Sequence, residues 1–287
     1  MSTWRTTELG RMSWAEVAAV IPQQPVILLP IGTVEQHGPH LPVNADNMVA
    51  EFVALKAAEQ THALVAPGIN YGNSALFTGF PGTFHVRQET LANVLRDVCE
   101  EFVAHGFRRI IFVNNHGGND AVCEMVAREL KAKYGIYIGN IYPWSLGYGL
   151  MRDTYEDWQT AYGHGAEPET SAMLGMFPED VVESLRESGK INPFNGWNAE
   201  GYSKVKIEGT PAPATVYFES HELAPNGVTG DGSVASAERG QVWIERVVGH
   251  AVAFVNEYDR LTRGAGWAKP EPSRFLVGVS DAAAVNG

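Results

Sequence analysis

The sequence contains little cysteine, and this scarcity excludes two kinds of site. Only Cys99 and Cys123 occur among 287 residues, and they form no Cys-x-x-Cys pair of the kind that binds zinc or carries out redox chemistry. Both fall in segments that we predict as amphipathic helices. We therefore expect two buried, reduced thiols.

Positive charge and long apolar runs are also scarce. The chain has 21 Lys and Arg residues against 33 Asp and Glu residues, a formal net charge of −12, and no basic run or stripe. This balance argues against a nucleic-acid partner. No stretch approaches the ~20 apolar residues of a membrane helix, and the N-terminal residues lack an apolar signal core. We therefore expect a cytoplasmic protein without a membrane partner.

The overall composition of the chain is that of a globular protein. Hydrophobic residues make up 45% of the chain and charged residues 19%, enough to bury a sizeable core. No Ser/Gly-rich or Pro-rich linker divides the chain, so we predict a single domain over residues 1–266 and an extended or poorly ordered tail at 267–287. Residues 186–233 are rich in Gly, Asn, Pro and Ser, with a strand-like patch near Ala214. A connection this long is typical of a lid, a substrate-binding loop or an oligomer contact.

Buried strands and amphipathic helices alternate along the predicted domain. Continuous apolar runs predict strands at 25–32, 64–67, 109–113 and 137–142. Helical spacing of apolar residues predicts helices at 14–21, 47–59, 88–105, 119–133, from Glu169 onward and at 236–258. Because unbroken apolar runs are typical of parallel strands covered on both faces, we predict an α/β sandwich with a mostly parallel central sheet.

The first chemically distinctive segment follows the strand at 25–32. Residues at i and i+2 of an extended segment face the same side, so Glu35 and His37 can reach one site beyond the strand end. Asp46 can return to the same pocket and bridge two ions with its two oxygens. Alternatively, Glu35 and Asp46 are ordinary charges, Asp46 serving only as a helix cap, and His37 is a surface or hydrogen-bonded core residue.

A second segment, Asn-Asn-His-Gly-Gly-Asn, lies between another predicted strand and a helix. It presents His116 at the sheet edge where open α/β sheets bind ligands. Gly117 and Gly118 let the backbone approach a ligand closely, so we predict both as substrate contacts. We make the same prediction for Ser74, which lies in a long Gly-rich loop. His116 is equally compatible with a satisfied core histidine beside a glycine turn.

The third segment, His-Gly-Ala-Glu-Pro-Glu-Thr, adds a histidine and two carboxylates. A dinuclear site with one bridging Asp, two His and one Glu lacks a second terminal carboxylate, which Glu167 or Glu169 can provide. The remaining carboxylate would be only a favourable charge in the first turn of the following helix. We predict His164 as a general acid/base separate from the ligands, with a pKa near the ~6.5 of free imidazole.

With these segments in view, the chain resembles the creatininase (creatinine amidohydrolase) family. The resemblance extends from about Glu16 to Tyr258. It rests on Glu-Gln-His-Gly-Pro-His at 35–40 with Asp46, Phe-Pro-Gly-Thr at 80–83, Asn-His-Gly-Gly-Asn at 115–119, the third segment at 164–171, Gly-Asp at 230–231 and Ala-Glu-Arg-Gly at 237–240. Several spaced motifs in the same order make the resemblance specific.

This resemblance implies a three-layer α/β/α fold and a site for two divalent ions per chain, either zinc, manganese or iron. It also implies a small-molecule substrate and a homo-oligomer, often a hexamer. Carried over by position, Glu35 and His116 would hold one ion and His37 the other. Asp46 would bridge the two.

The chain departs from creatininase itself at two places. In creatininase a Tyr and a metal-binding Glu follow the second-segment histidine, where this chain has Gly117 and Gly118. Family members with His-Gly-Gly-Asn carry a Glu three residues after the third-segment histidine, so the resemblance implies Glu167 rather than Glu169 as terminal carboxylate. Of the tryptophans that line the creatininase pocket, Trp144 is a retained substrate contact, whereas the one before the third-segment histidine is replaced. We therefore expect a substrate other than creatinine.

The residues and the resemblance together predict a dinuclear hydrolase. A water activated by two cations would attack the carbonyl of a small cyclic amide, and His164 would shuttle the proton to the leaving nitrogen. The main alternative enzyme hydrolyses a C–C bond of an oxidised inositol, whose hydroxyls the loop at 186–229 would suit. Deformylation of a pyrimidine precursor and processing of a small peptide are further family activities. The alternative from another class is a metal-binding or ligand-binding subunit without turnover.

Overall fold

A four-stranded parallel sheet lies at the centre of the computed structural model, which describes residues 4–265. Its strands are β1 (Val26–Ile31), β2 (Ala63–Val65), β3 (Ile110–Asn114) and β4 (Ile138–Ile141), in the order β2-β1-β3-β4. All three pairings are parallel. Every residue of the two central strands, β1 and β3, is buried, which agrees with the unbroken apolar runs that predicted them.

Helices cover both faces of this sheet. The α-helices of the described residues are α1 (Trp14–Val20), α2 (Ala45–Ala58), α3 (Gln88–His105), α4 (Asp120–Tyr134), α5 (Pro143–Leu150), α6 (Trp158–Ala161), α7 (Glu169–Met176), α8 (Ser220–Leu223) and α9 (Ala237–Thr262). Of these, α8 contributes Leu223 to a separate small core rather than to the cores on the sheet. Successive strand residues point to opposite faces, so Leu28 packs in a core with α2, α5, α7 and α9. Leu29 packs in a second core with α1, α3 and α4. The predicted three-layer α/β/α fold is therefore confirmed.

The long segment at 186–233 contains a small antiparallel sheet. Its strands are β5 (Ala199–Gly201), β6 (Lys204–Val205) and β7 (Ala214–Thr215), paired in that order. Ala199, Val205, Phe218 and Leu223 form a small apolar core beneath them. The strand-like patch predicted near Ala214 corresponds to β7, whereas the sequence did not indicate the β5–β6 hairpin. The role of this segment as a lid, binding loop or oligomer contact stays a prediction.

Several further sequence predictions concern single features of the chain. Cys99 and Cys123 are free and buried, as expected, and burial raises the pKa of each thiol to about 12. Among the described residues, no helix has the length and apolar character needed to cross a bilayer. The tail predicted at 267–287 lies outside the described residues.

Candidate metal centre

Four side chains from three separate segments meet at the carboxyl edge of β1 and β3. Glu35 and His37 follow β1, His116 follows β3, and Asp46 lies in the first turn of α2. All four are buried. The carboxyl edge of an open parallel sheet is where α/β proteins bind ligands. The structure therefore brings together the four residues that the first two sequence segments selected.

The Asp46 carboxylate lies between the two histidines. Its Oδ1 is 3.2 Å from His37 Nε2, and its Oδ2 is 3.1 Å from His116 Nδ1. The Glu35 carboxylate spans the same pair, with Oε1 at 3.9 Å from His37 Nε2 and Oε2 at 3.4 Å from His116 Nδ1. The cap residue of α2 is Asn44 rather than Asp46, whose Oδ1 accepts from Trp144 Nε1 and whose Oδ2 has no hydrogen-bond partner among the described residues. The alternative reading of Asp46 as only a helix cap is therefore wrong.

Backbone carbonyls fix the ring orientation of both histidines. The Asn73 carbonyl oxygen lies 2.8 Å from His116 Nε2, and the Glu35 carbonyl oxygen lies 3.1 Å from His37 Nδ1. Because a carbonyl oxygen only accepts, each of these nitrogens donates its hydrogen. In the neutral rings, the other nitrogens, His116 Nδ1 and His37 Nε2, direct lone pairs at carboxylate oxygens. Metal-binding histidines typically have a carbonyl or carboxylate partner on the second ring nitrogen in this way.

Uncompensated negative charge makes the cluster suitable for cations. Glu35 Oε2 and Asp46 Oδ2 are buried and accept no hydrogen bond among the described residues. Burial alone would lower the pKa of His37, but Asp46, Glu169 and Glu35 outweigh it and raise that pKa to about 10. Glu35 and Asp46 also raise the pKa of His116 well above its ordinary value, although burial opposes this. Imidazole and carboxylate ligands suit zinc, manganese and ferrous iron.

The choice of Glu167 as the terminal carboxylate stays a prediction, since among the described residues neither Glu167 nor Glu169 belongs to the groups of side chains that could hold an ion. Glu167 is fully buried, but its carboxylate accepts a hydrogen bond from the Tyr155 hydroxyl. The other groups that influence its pKa, beyond burial itself, are Ser171 and Arg239, and neither belongs to the cluster. Only its Oε2 is engaged in this way, since Oε1 is buried and has no hydrogen-bond partner among the described residues.

Glu169 has the surroundings expected of that carboxylate. Its Oε2 lies 3.9 Å from His164 Nδ1 and accepts a hydrogen bond from the Gly165 amide at 2.7 Å, while Oε1 accepts one from the Tyr148 hydroxyl at 3.0 Å. Burial raises the pKa of Glu169 to about 7, with the charge of His37 acting in the opposite direction. Glu169, which the resemblance leaves as only a charge in the first turn of α7, is thus close to His164 and interacts with His37.

His164 lies inside the site rather than apart from it. One of its ring nitrogens lies within 4.8 Å of ligand atoms of Glu35 and His37, and the three residues together could hold an ion. Its Nε2 donates to the Gln36 carbonyl oxygen at 2.7 Å, so Nδ1 carries the lone pair. Burial, together with the nearby His37, lowers the pKa of His164 to about 3. The prediction that His164 is spatially separate from the ligands and has an unperturbed pKa is therefore wrong.

The predicted substrate contacts have structural partners. Trp144 is buried, and its Nε1 donates to Asp46 Oδ1 at 2.7 Å. The Ser74 hydroxyl, also buried, lies 2.6 Å from the Thr33 hydroxyl. A Cβ on Gly117 would meet the Tyr142 hydroxyl at 3.0 Å. These contacts show that Trp144 supports the Asp46 carboxylate, and direct contact with substrate stays a prediction for all four residues.

Gly118 has a clear local requirement. A Cβ at this position would lie 2.0 Å from the Asn73 carbonyl oxygen and 2.5 Å from His116 Nε2. Those two atoms form the hydrogen bond that orients the His116 ring. The backbone of Gly118 therefore lies close to the Asn73 carbonyl and the His116 ring, and a contact with substrate stays a prediction.

The sequence did not indicate several groups that orient the side chains of the site through direct hydrogen bonds. Tyr148, the Asn73 carbonyl and the Gln36 carbonyl belong to this group. The Gln36 side chain accepts from the Gly38 amide and donates to the Gly227 carbonyl oxygen. No periodicity in the sequence identifies such partners, since the contacts join segments far apart in the chain.

Comparison with known proteins places this arrangement in a family. The creatininase family model, described as creatinine amidohydrolase, matches residues 10–255. A mycofactocin precursor peptide peptidase from Mycobacterium ulcerans (strain Agy99) is 29% identical over 88% of this chain and 92% of its own. A creatinine amidohydrolase from Pseudomonas putida is 28% identical over 87% of this chain and 96% of its own. A 3-dehydro-scyllo-inosose hydrolase from Thermotoga maritima is 26% identical over 86% and 81%, respectively.

Solved structures show the same similarity. A manganese form of creatininase is 26% identical, covers 88% of this chain and 99% of its own, and superposes with a TM-score of 0.68. A creatininase mutant of the type described as Zn-Zn gives the same identity, coverage and TM-score. The fold and the metal-binding character of the relatives agree with the geometry of the cluster.

Proposed function

The chain belongs to the creatininase family and is a metal-dependent hydrolase of that family, and from this premise we propose that it hydrolyses the C–N bond of a small cyclic amide. The observation that carries the proposal is the arrangement around Asp46. Two histidines, each oriented by a backbone carbonyl, direct their free nitrogens at opposite oxygens of one buried carboxylate. This arrangement supports a site that binds two ions.

We assign the ligands of the two ions from these contacts. Glu35 and His116 would hold the first ion, His37 and Glu169 the second, and Asp46 would bridge them. Bound there, two divalent cations would supply an activated water and polarise the substrate carbonyl. The Tyr148 hydroxyl and the Gly165 amide hold the Glu169 carboxylate in place.

His164 would carry the proton in this proposal. The Gln36 carbonyl holds the hydrogen on Nε2, which leaves Nδ1 as the atom that accepts and returns a proton. Hydrolysis forms a bond between the water oxygen and the carbonyl carbon and breaks the bond from that carbon to nitrogen. The proton lost by the water passes through His164 Nδ1 to the leaving nitrogen, so atoms and charge balance.

The test is mass spectrometry of a substrate panel after incubation with zinc-loaded or manganese-loaded protein. The panel contains creatinine, other lactams, cyclic ureas, formamides, short peptides and keto-inositols. A gain of one water by a cyclic amide, lost in the His164→Gln variant, supports the proposal. No hydrolysis of any lactam or cyclic urea by metal-loaded protein would contradict it.

A second candidate function is hydrolysis of a C–C bond in an oxidised inositol. The similarity to the 3-dehydro-scyllo-inosose hydrolase favours it. The buried hydroxyl groups of Tyr202 and Ser220, which have no hydrogen-bond partner among the described residues, favour it as well. Reaction of only the keto-inositols would select this function with the same metal centre. Reaction of only peptides or formamides would select the other family activities, and no turnover despite bound metal would favour a binding subunit. We also propose a homo-oligomer, a hexamer by family resemblance, which light scattering tests.

A further inference from the structure

Two buried hydroxyl groups near the metal centre have no hydrogen-bond partner among residues 4–265. They are the Tyr202 hydroxyl and Ser220 Oγ. Tyr202 lies at the tip of the β5–β6 hairpin, where Gly201 pairs with Lys204, and Ser220 is the first residue of α8. Buried hydroxyls normally find a partner, because their lost hydration is otherwise uncompensated. An unpaired set beside a candidate active site indicates a place for a ligand.

The tip of the β5–β6 hairpin places the Tyr202 ring next to His164. The ring packs edge-on against His164 and Phe77, with centroid distances of 6.4 Å and 5.5 Å. Phe77 in turn stacks on His164 at 4.4 Å. The polar groups that influence the Tyr202 hydroxyl include Ser220 and the Glu169 carboxylate. The Tyr202 hydroxyl therefore lies close to Ser220 and Thr229 and interacts with the carboxylates of Glu169 and Glu35.

We propose that Tyr202 and Ser220 form a polar subsite that binds a hydroxyl or amide group of the substrate, next to the carbonyl that is hydrolysed. This inference rests on the proposed function and narrows its substrate class. A site built to hydrogen-bond a substrate group binds an analogue without that group less well, because its own polar atoms are then left unpaired. The preferred substrate is therefore a carbonyl compound with a hydrogen-bonding substituent beside the carbonyl, rather than a plain lactam.

Binding of hydroxamates to the zinc-loaded protein tests this inference without requiring turnover. Hydroxamates bind divalent metals through two oxygens, so they report on the site whatever its reaction. Calorimetry compares propanohydroxamate, with an apolar substituent, against glycolohydroxamate, in which a hydroxyl replaces the methyl group. N-acetylglycine hydroxamate supplies an amide instead and separates the two possible substituents. We expect the wild-type protein to bind at least one polar probe about tenfold more tightly than propanohydroxamate.

Variants assign the preference to the two hydroxyls. Tyr202→Phe and Ser220→Ala should each reduce the preference for the polar probe over propanohydroxamate to about threefold or less. The zinc content should stay unchanged. Tyr217→Phe is the matched control, because Tyr217 lies in the same segment but is 87% exposed, and it should keep the full preference. A wild-type protein without the preference, or variants that retain it, would overturn the subsite alone. A protein that binds neither zinc nor any hydroxamate would overturn the proposed function and the subsite together.

Discussion

Trp144 Nε1 donates a hydrogen bond of 2.7 Å to Asp46 Oδ1, the same oxygen that lies 3.2 Å from His37 Nε2. This indole therefore holds the carboxylate that we assign as the bridge. Partners that orient a metal ligand typically contribute about 10- to 100-fold to metal affinity. The contact explains the burial of Trp144 independently of any role in lining the substrate pocket.

Removal of this indole donor should weaken metal binding. Trp144→Phe keeps an aromatic ring but loses the hydrogen bond to Asp46, and we expect zinc affinity to fall by about 10- to 100-fold in competition with a chromophoric chelator. Trp243→Phe is the control, since Trp243 is also buried and its Nε1 has no hydrogen-bond partner among the described residues. Equal affinities for the two variants would exclude the orienting role.

The two carboxylates of the third segment should differ in their effect on metal content. Glu169→Gln should lose about one ion per chain, as measured by inductively coupled plasma mass spectrometry, because Glu169 faces His164 and His37. Glu167→Gln should keep both ions, because Glu167 is hydrogen-bonded to Tyr155. The opposite result would restore the ligand that the family resemblance implied.

His164 should be required for turnover but not for metal binding. His164→Ala should lower kcat by about 10²- to 10⁴-fold on the substrate identified in the panel, with metal content unchanged. His250→Ala, on the exposed face of α9, should leave both quantities unchanged. Since the ring of His164 is close enough to Glu35 and His37 to bind an ion, loss of metal in His164→Ala would reassign it as a ligand.

An added methyl group at Gly118 should disrupt the metal centre from outside its ligand set. Gly118→Ala places a Cβ against the Asn73 carbonyl oxygen and His116 Nε2, so we expect a destabilisation of roughly 1–3 kcal/mol together with weaker zinc binding. Thermal unfolding and chelator competition measure the two effects. At Gly149 a Cβ would meet no atom within 4 Å, so Gly149→Ala should change neither. A Gly118→Ala protein with wild-type zinc affinity would show that the His116 orientation is not needed.

Metal binding should release protons at neutral pH. In the metal-free protein the pKa of His37 is raised to about 10, because the carboxylates outweigh the effect of burial. The ring is therefore protonated at pH 7 and must lose that proton to bind a cation. Zinc affinity should rise with pH between 6 and 8. Calorimetry in buffers of different ionisation enthalpy should show release of about one proton or more per chain, and a value of zero would contradict the assignment of His37.

The sign of the corresponding effect on folding stability follows from the same pKa. A histidine whose pKa is higher in the folded state than its ordinary 6.5 binds a proton more tightly when folded. Its contribution to the stability of the metal-free protein is fully present below about pH 6.5 and is lost as the pH rises toward 10. Bound zinc should remove this dependence, because the metal replaces the proton.

Much of the fold was predictable because burial on both faces leaves a direct record in the sequence. The apolar runs at 25–32 and 109–113 have no polar alternation, and they became the two central strands β1 and β3. Residues that follow such strands meet at one edge of the sheet, whatever the details of packing. For this reason the convergence of Glu35, His37 and His116 could be predicted from local patterns.

The tertiary structure alone decided which side chains turn toward the site. Glu167 and Glu169 are two residues apart in one turn, and only the fold shows that the Tyr155 hydroxyl donates to Glu167 and the Tyr148 hydroxyl to Glu169. The position of Tyr202 likewise depends on a hairpin whose own core the sequence did not reveal. Such contacts join distant segments through packing and hydrogen bonds of single side chains, and these leave no periodic pattern in the sequence. The sequence alone determined the layers, the central strands and which histidine and carboxylate side chains are available to the site. The tertiary structure determined how those side chains are oriented.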